Sequence, residues 1–115
     1  MKKELKDLLQ RLLEGIIANC KAGINNVIMD FDIEGVDFYS NYLTIALPEL
    51  KHLEDDEEVD FFYVNKALDS WIWDAKNPKE KIKNIIEWYN QTDDFSDEYH
   101  PNDELLDELV ELLEK

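Results

Sequence analysis

Two histidines and one cysteine are the residues of this chain best suited to acid–base, nucleophilic or metal chemistry. Imidazole titrates near neutral pH, so His52 and His100 are candidates for proton transfer. Neither has a second His or Cys at the spacing that a zinc site needs, and no serine lies in a nucleophile-elbow pattern. The sequence therefore predicts no catalytic residue, and we do not expect an enzyme.

One acidic segment suggests calcium binding at first. The stretch Asp30-Phe31-Asp32-Ile33-Glu34-Gly35 resembles the start of an EF-hand loop, with side-chain oxygens at positions 1, 3 and 5 and glycine at position 6. The twelfth position, which should be a bidentate glutamate, is Asn41, and the usually apolar eighth position is Asp37. The pattern therefore breaks, and we predict neither a metal nor any other cofactor.

The composition indicates a single acidic globular domain spanning 1–115. The chain has 28 acidic and 12 basic residues, a formal net charge of −16. Five Phe, five Tyr and three Trp are too many aromatic residues for a disordered acidic tail. Phosphate backbones and anionic membrane surfaces would repel such a chain, so we expect no direct contact with nucleic acid or membrane.

The cysteine count and the distribution of apolar residues also indicate the cellular location. A single cysteine cannot form an internal disulfide, and the first ten residues carry charges where a signal peptide needs an apolar run. No apolar run approaches the roughly 20 residues that span a bilayer. We expect a cytoplasmic protein.

Hydrophobic periodicity predicts an α+β fold in the order α-β-β-β-α-α-α. A helix begins near the N-terminus, with Leu and Ile at helical spacing up to a buried Cys20, and Gly23 is expected to end it. Period-two patterns then predict a small antiparallel sheet of about three strands at 27–33, 36–39 and 42–47, with a turn at Glu34-Gly35 and Pro48 ending the last strand.

Helices are predicted for the rest of the chain, with one ambiguity. Residues 59–75 fit a helix, which we favour, but also an aromatic hairpin. Asn77 and Pro78 are typical of a helix start, with Glu80 completing a capping box. A last helix runs from about Asp103. Trp71, Trp73 and Trp88 are candidates both for core packing and for interface anchors.

The acidic residues are concentrated in two blocks. Residues 30–58 and residues 91–115 each contain ten acids and one base, whereas residues 59–90 contain five of each. Solubility alone would explain a weaker excess. Aromatic residues within these blocks could anchor a partner while the carboxylates attract it. The predicted partner-binding residues are Asp30, Asp32, Glu34, Asp37, Tyr39, Tyr42, Asp93, Asp94, Phe95, Asp97, Glu98 and Tyr99.

These residues predict a binding protein whose partner is a basic protein. In character the chain is similar to bacterial immunity proteins, which are small, acidic and cytosolic and neutralise nuclease toxins. That likeness implies an immunity protein or antitoxin that blocks the cationic cleft of a toxin, with charge attraction speeding association. The alternative is a phage-type DNA mimic that inhibits a restriction, CRISPR or other DNA-binding protein. A regular row of acids across both blocks would favour the mimic.

Overall fold

The protein is all-α in the computed structural model, which describes residues 1–92 and 98–115. The helices within those residues are α1 (Lys3–Met29), α2 (Ile33–Glu54), α3 (Phe61–Ala67), α4 (Pro78–Asn90) and α5 (Asp103–Leu113), with a 3₁₀ turn at Leu68–Ser70 after α3. The described residues contain no strand, so the predicted α+β fold with a three-stranded sheet is wrong. Each described helix is too short or too polar to cross a membrane.

The first helix continues past the glycine that was expected to end it. Its apolar stripe is buried from Leu5 to Cys20, as the sequence predicts. Gly23 then lies inside the helix, where the ring of Tyr39 on α2 occupies the space that a side chain would fill. This glycine is therefore needed for close helix packing and not for a helix end.

The residues of the first predicted strand form the end of α1 and a tight turn. The amide of Phe31 donates to the Ile28 carbonyl at 3.0 Å, and that of Asp32 to the Val27 carbonyl at 2.9 Å. These two bonds define a Schellman motif, with Phe31 as its left-handed residue at φ 56°. The alternating apolar residues at 27–33 thus do not form a strand, because backbone hydrogen bonding is satisfied within the helix end.

The other two predicted strands lie within α2. Asp32 caps this helix by accepting a hydrogen bond from the Gly35 amide at 3.0 Å, so Glu34-Gly35 belongs to its first turn. Pro48 lies inside α2 and does not end an element there. The pattern at 42–47 is too short to distinguish a strand from one part of a half-buried helix. In the structure these residues belong to the helix that Asp32 caps at its start.

The remaining helices are close to the prediction. The favoured helix at 59–75 is confirmed for Phe61–Ser70 and wrong beyond it, where residues 71–77 are irregular. Asn77 caps α4 by accepting from the Glu80 amide at 2.9 Å. The Glu80 carboxylate accepts from the Lys76 amide at 3.0 Å, one residue before the predicted capping-box partner.

The core lies around the first two-thirds of α1. Helices α2, α4 and α5 and the 3₁₀ turn pack on α1, whereas α3 packs on α2 and α5. Helix α4 comes close to Gly15 through Ile85 and Tyr89. Beyond Cys20 on α1, and before Ala46 on α2, no residue is fully buried. The end of α1 and the start of α2 therefore form a helical hairpin beyond the main core, and its turn exposes both charged and apolar side chains.

Candidate binding surface

The hairpin tip, defined here as residues 28–37, brings four of the predicted partner-binding residues together. Asp30 and Asp32 lie in the turn, Glu34 lies in the first turn of α2 and Asp37 follows one turn later. All four side chains belong to exposed residues. The sequence placed these acids on predicted strands, whereas the structure groups them around a helical turn; their role in binding stays a prediction.

The carboxylates of the tip have no basic neighbour in the sequence. The chain contains no Lys or Arg between Lys21 and Lys51, and none of the ion pairs among the described residues involves a tip acid. Self-repulsion among unpaired carboxylates disfavours the folded state. A cationic partner would relieve that repulsion, which makes the tip an electrostatic match for a basic surface.

Exposed apolar side chains alternate with these acids at positions that the sequence pattern predicts to be buried. Met29 is 79% exposed, Phe31 is 91% exposed and Ile33 is 76% exposed. The period-two pattern assigned these side chains to a core-facing strand. Apolar side chains beside polar ones at a protruding surface are typical of an interaction site.

Phe31 combines exposure with an unfavourable backbone conformation. A left-handed φ costs a non-glycine residue roughly 1 kcal/mol, and the corresponding position in a Schellman motif is usually glycine. The turn after α2 uses the same motif with Asp56 at φ 57°, and aspartate tolerates that conformation. A phenylalanine that lacks both packing and a favourable φ is explained more readily by function than by stability.

Two predicted aromatic anchors lie behind the tip and help to pack the hairpin. The Tyr39 ring lies against Gly23 and makes an edge contact with Phe38, with centroids 5.1 Å apart. Tyr42 is half-buried, and burial raises the pKa of its phenol, with Asp69 and Cys20 adding smaller effects. Both residues therefore support the hairpin, and Phe31 is the exposed aromatic residue of the tip.

Tyr99 and Glu98 lie at the other end of the molecule. Asn90 holds the Tyr99 backbone with two hydrogen bonds, accepting from its amide at 3.0 Å and donating to its carbonyl at 2.8 Å. The Arg11 guanidinium lies 5.7 Å from the centroid of the Tyr99 ring. Burial raises the pKa of this phenol, and Asp7 adds to the shift. Tyr99 thus fastens the segment before α5 to α4 and α1.

The predicted residues therefore do not form one surface. Arg11 and Met29 are separated by eighteen residues of helix, or roughly 27 Å along α1, so Tyr99 cannot share a small interface with the tip. Glu98 is exposed, 3.2 Å from the His100 ring. Asp93, Asp94, Phe95 and Asp97 lie outside the described residues.

Carboxylates far from the tip are partly neutralised. Glu108 pairs with Lys2 at 2.9 Å, Asp107 pairs with Lys79 at 2.9 Å, and Asp56 pairs with Lys6. Lys6 lowers the pKa of the Asp56 carboxyl, while Glu108 and Asp107 raise the pKa of Lys2 and Lys79. These exposed pairs contribute little stability, but they reduce the negative field where α1 begins.

His52 lies beside a buried carboxylate that has a structural role. His52 lies 3.4 Å from the buried Glu49 carboxylate, which accepts a hydrogen bond from the Asp60 amide and so joins α2 to the start of α3. Among residues 1–92 and 98–115, no cluster of three His, Cys, Asp or Glu side chains could hold a metal ion. Comparison of the chain with family models, curated proteins and solved structures finds no match.

Proposed function

We propose that this protein is an acidic inhibitor that binds a basic protein through its hairpin tip. The observation that carries the proposal is the strained, 91% exposed Phe31 among carboxylates that have no basic neighbour. The carboxylates attract a cationic surface over a Debye length, and the apolar side chains provide the contact area that holds it. A second copy of the chain is a poor partner for the tip because its identical acids would be repelled.

The class of partner follows from this chemistry. A nuclease cleft is cationic because it holds phosphates, and an acidic protrusion can fill it. The tip joins two helices that pack on each other through Gly23 and Tyr39, so little conformational entropy is lost when it enters a cleft. We therefore favour an immunity protein or antitoxin directed against a nuclease-type toxin.

The arrangement of the acids favours this role over a DNA mimic. A mimic needs carboxylates in a continuous row that follows a phosphate backbone. The tip and the five consecutive acids at 54–58 lie at opposite ends of α2, a helix of 22 residues that is roughly 33 Å long. The acids of α5 form a further group, partly paired with Lys2 and Lys79. Separate groups match a localised plug better than an imitation of DNA.

Affinity capture followed by reconstitution tests the proposal. The tagged protein should retain a basic protein from host extract at low salt, and the purified partner should bind again and lose its nuclease activity. Added DNA should compete for the partner if its cleft is blocked. If the recovered partner is neutral or acidic, or if it binds equally well in high salt, the proposed function is wrong.

A further inference from the structure

The three tryptophans of the chain meet around one open cavity. Two of them belong to the region before α4 and one to α4 itself. The cavity measures about 300 Å³, and its lining residues are Trp71, Trp73, Asn84, Glu87, Trp88 and Gln91. Every tryptophan of this 115-residue protein therefore contributes to a single surface feature, which the inhibitor function above does not use.

The indole rings form inclined walls and not a flat platform. The centroids of Trp71 and Trp73 are 6.3 Å apart with their planes at 60°, and those of Trp71 and Trp88 are 6.1 Å apart at 63°. Trp71 is only 7% exposed and packs through edge contacts on both other rings, so the ring surface open to a ligand belongs to the exposed Trp73 and the half-buried Trp88. Two inclined faces can enclose a compact, roughly spherical group. A flat ligand, such as a sugar ring, would need a broad single face instead.

Local hydrogen bonds hold the backbone that follows the outermost ring. Trp73 is 62% exposed and belongs to an irregular segment that α4 fastens from two sides. The Asn84 amide donates to the Asp74 carbonyl at 3.3 Å, and the Glu80 carboxylate accepts from the Lys76 amide at 3.0 Å. A large apolar ring kept in water by a fastened backbone indicates that it contacts something other than the core.

The lining has the charge of a cation site. Indole faces carry negative electrostatic potential and attract cations most strongly of all the aromatic side chains. Glu87 adds a carboxylate, the two amides are neutral, and neither Lys nor Arg contributes to the described lining. We propose that Trp73 and Trp88, which pack on the buried Trp71, bind a quaternary ammonium group together with Glu87, since this is the organic cation that aromatic cages recognise.

Choline is the probe that tests this site, and intrinsic fluorescence is the readout because all three tryptophans line the cavity. Choline should change the fluorescence saturably, whereas sodium chloride at the same ionic strength should not. The uncharged analogue in which carbon replaces the nitrogen should bind about tenfold more weakly, since it lacks the cation–π attraction. Equal binding of both compounds, saturable binding of glucose in place of choline, or no response to choline would overturn the proposal.

Substitutions distinguish the contributions of the aromatic face, of apolar contact and of the carboxylate charge to choline binding. Trp73→Leu keeps an apolar side chain but removes the π face, and should weaken choline binding about tenfold. Glu87→Gln should weaken it several-fold while leaving the uncharged analogue unaffected. Phe62→Leu, at a 67% exposed aromatic residue on α3 outside this cavity, is the matched control and should bind as the wild type does. Unchanged affinity in both Trp73→Leu and Glu87→Gln would contradict the assigned site.

Discussion

The Tyr39 ring fills the space that the missing side chain of Gly23 leaves on α1. A Cβ atom built at Gly23 would lie 2.5 Å from Cζ of Tyr39 and within 2.7 Å of both Cε atoms. No real Cβ atom approaches a ring so closely, so the pair sets how near α2 can lie to α1. Because this contact occurs beyond the main core, it supports the hairpin whose tip we propose as the binding surface.

Gly23→Ala should therefore destabilise the protein even though alanine favours a helix. Alanine gains about 1 kcal/mol of helix propensity over glycine, but overpacking against the ring costs about 1–3 kcal/mol. In a Tyr39→Ala background the clash is absent, and Gly23→Ala should become neutral or stabilising. Urea unfolding of the four proteins measures this coupling. Additive effects would show that the ring does not constrain the helix spacing.

Phe31→Gly should separate stability from binding. Glycine adopts the left-handed conformation at φ 56° without steric cost, so the free energy of unfolding should rise by up to about 1 kcal/mol. Binding to the captured partner should weaken, with a faster dissociation rate, because the exposed anchor is removed. Asp56→Gly, at φ 57° in the turn after α2, is the matched control and should leave binding unchanged. A stabilised Phe31→Gly protein with wild-type dissociation would remove Phe31 from the interface.

Cys20 should be an inert core residue whose contribution depends on pH. The side chain is fully buried, and burial raises the pKa of its thiol from 9.0 to about 11, although the neighbouring Ser70 hydroxyl acts in the opposite direction. Between these values the unfolded chain loses its thiol proton and the folded protein keeps it. The thiol therefore favours unfolding progressively as pH rises from 9.0 to about 11.

Cys20→Ala is the variant that measures this effect. At neutral pH it should cost about 1–2 kcal/mol, because it leaves a small cavity. That cost should shrink in urea unfolding as the pH is raised towards 11, while partner binding at neutral pH stays unchanged. A pH-independent cost would mean that the thiol ionises equally in both states. Loss of binding in a cooperatively folded Cys20→Ala protein would instead assign the thiol a role in function.

Asn90 should matter more to stability than a surface amide normally does. Its side chain makes both hydrogen bonds to the backbone of Tyr99, so Asn90→Ala leaves a part-buried amide and carbonyl without these partners, at a cost of about 1–3 kcal/mol. Thermal unfolding measures the loss, and hydrogen exchange of the Tyr99 amide should accelerate. Asn84→Ala, which removes a single side-chain bond to the Asp74 carbonyl, should cost less. Equal effects would contradict the special position of Asn90.

The sequence predicted the outer helices well because their signals are local and redundant. The apolar stripe up to Cys20 is a long periodic run, and the starts at Asn77-Pro78 and near Asp103 combine periodicity with an asparagine cap. The middle of the chain carried a misleading pattern. Met29, Phe31 and Ile33 alternate as in a half-buried strand, yet the alternation arises because all three are exposed around a tight turn. No periodicity rule distinguishes those cases, since each assumes that apolar residues face the core.

The candidate site was predictable in its charge and not in its anchor. Carboxylates tend to be exposed in any secondary structure, so the exposure of the acids at 30–37 could be predicted although the predicted fold was wrong. The exposed Phe31 is identified by its left-handed φ, and the distance between Tyr99 and the tip follows from the full length of α1. Both facts depend on tertiary structure. Asp93, Asp94, Phe95 and Asp97 lie outside the described residues, so their role in partner binding stays a prediction.

The rate of association with the captured basic partner tests the central claim most directly. The tip variant Asp30→Asn, Glu34→Gln, Asp37→Asn removes three charges and spares the Asp32 cap. The matched variant Glu104→Gln, Glu111→Gln, Glu114→Gln removes three from α5 and the residue after it. Stopped-flow mixing at low salt should show association about tenfold slower for the tip variant and little changed for the matched one. Equal rates for the two variants, or a slower rate for the α5 variant alone, would contradict binding through the hairpin tip.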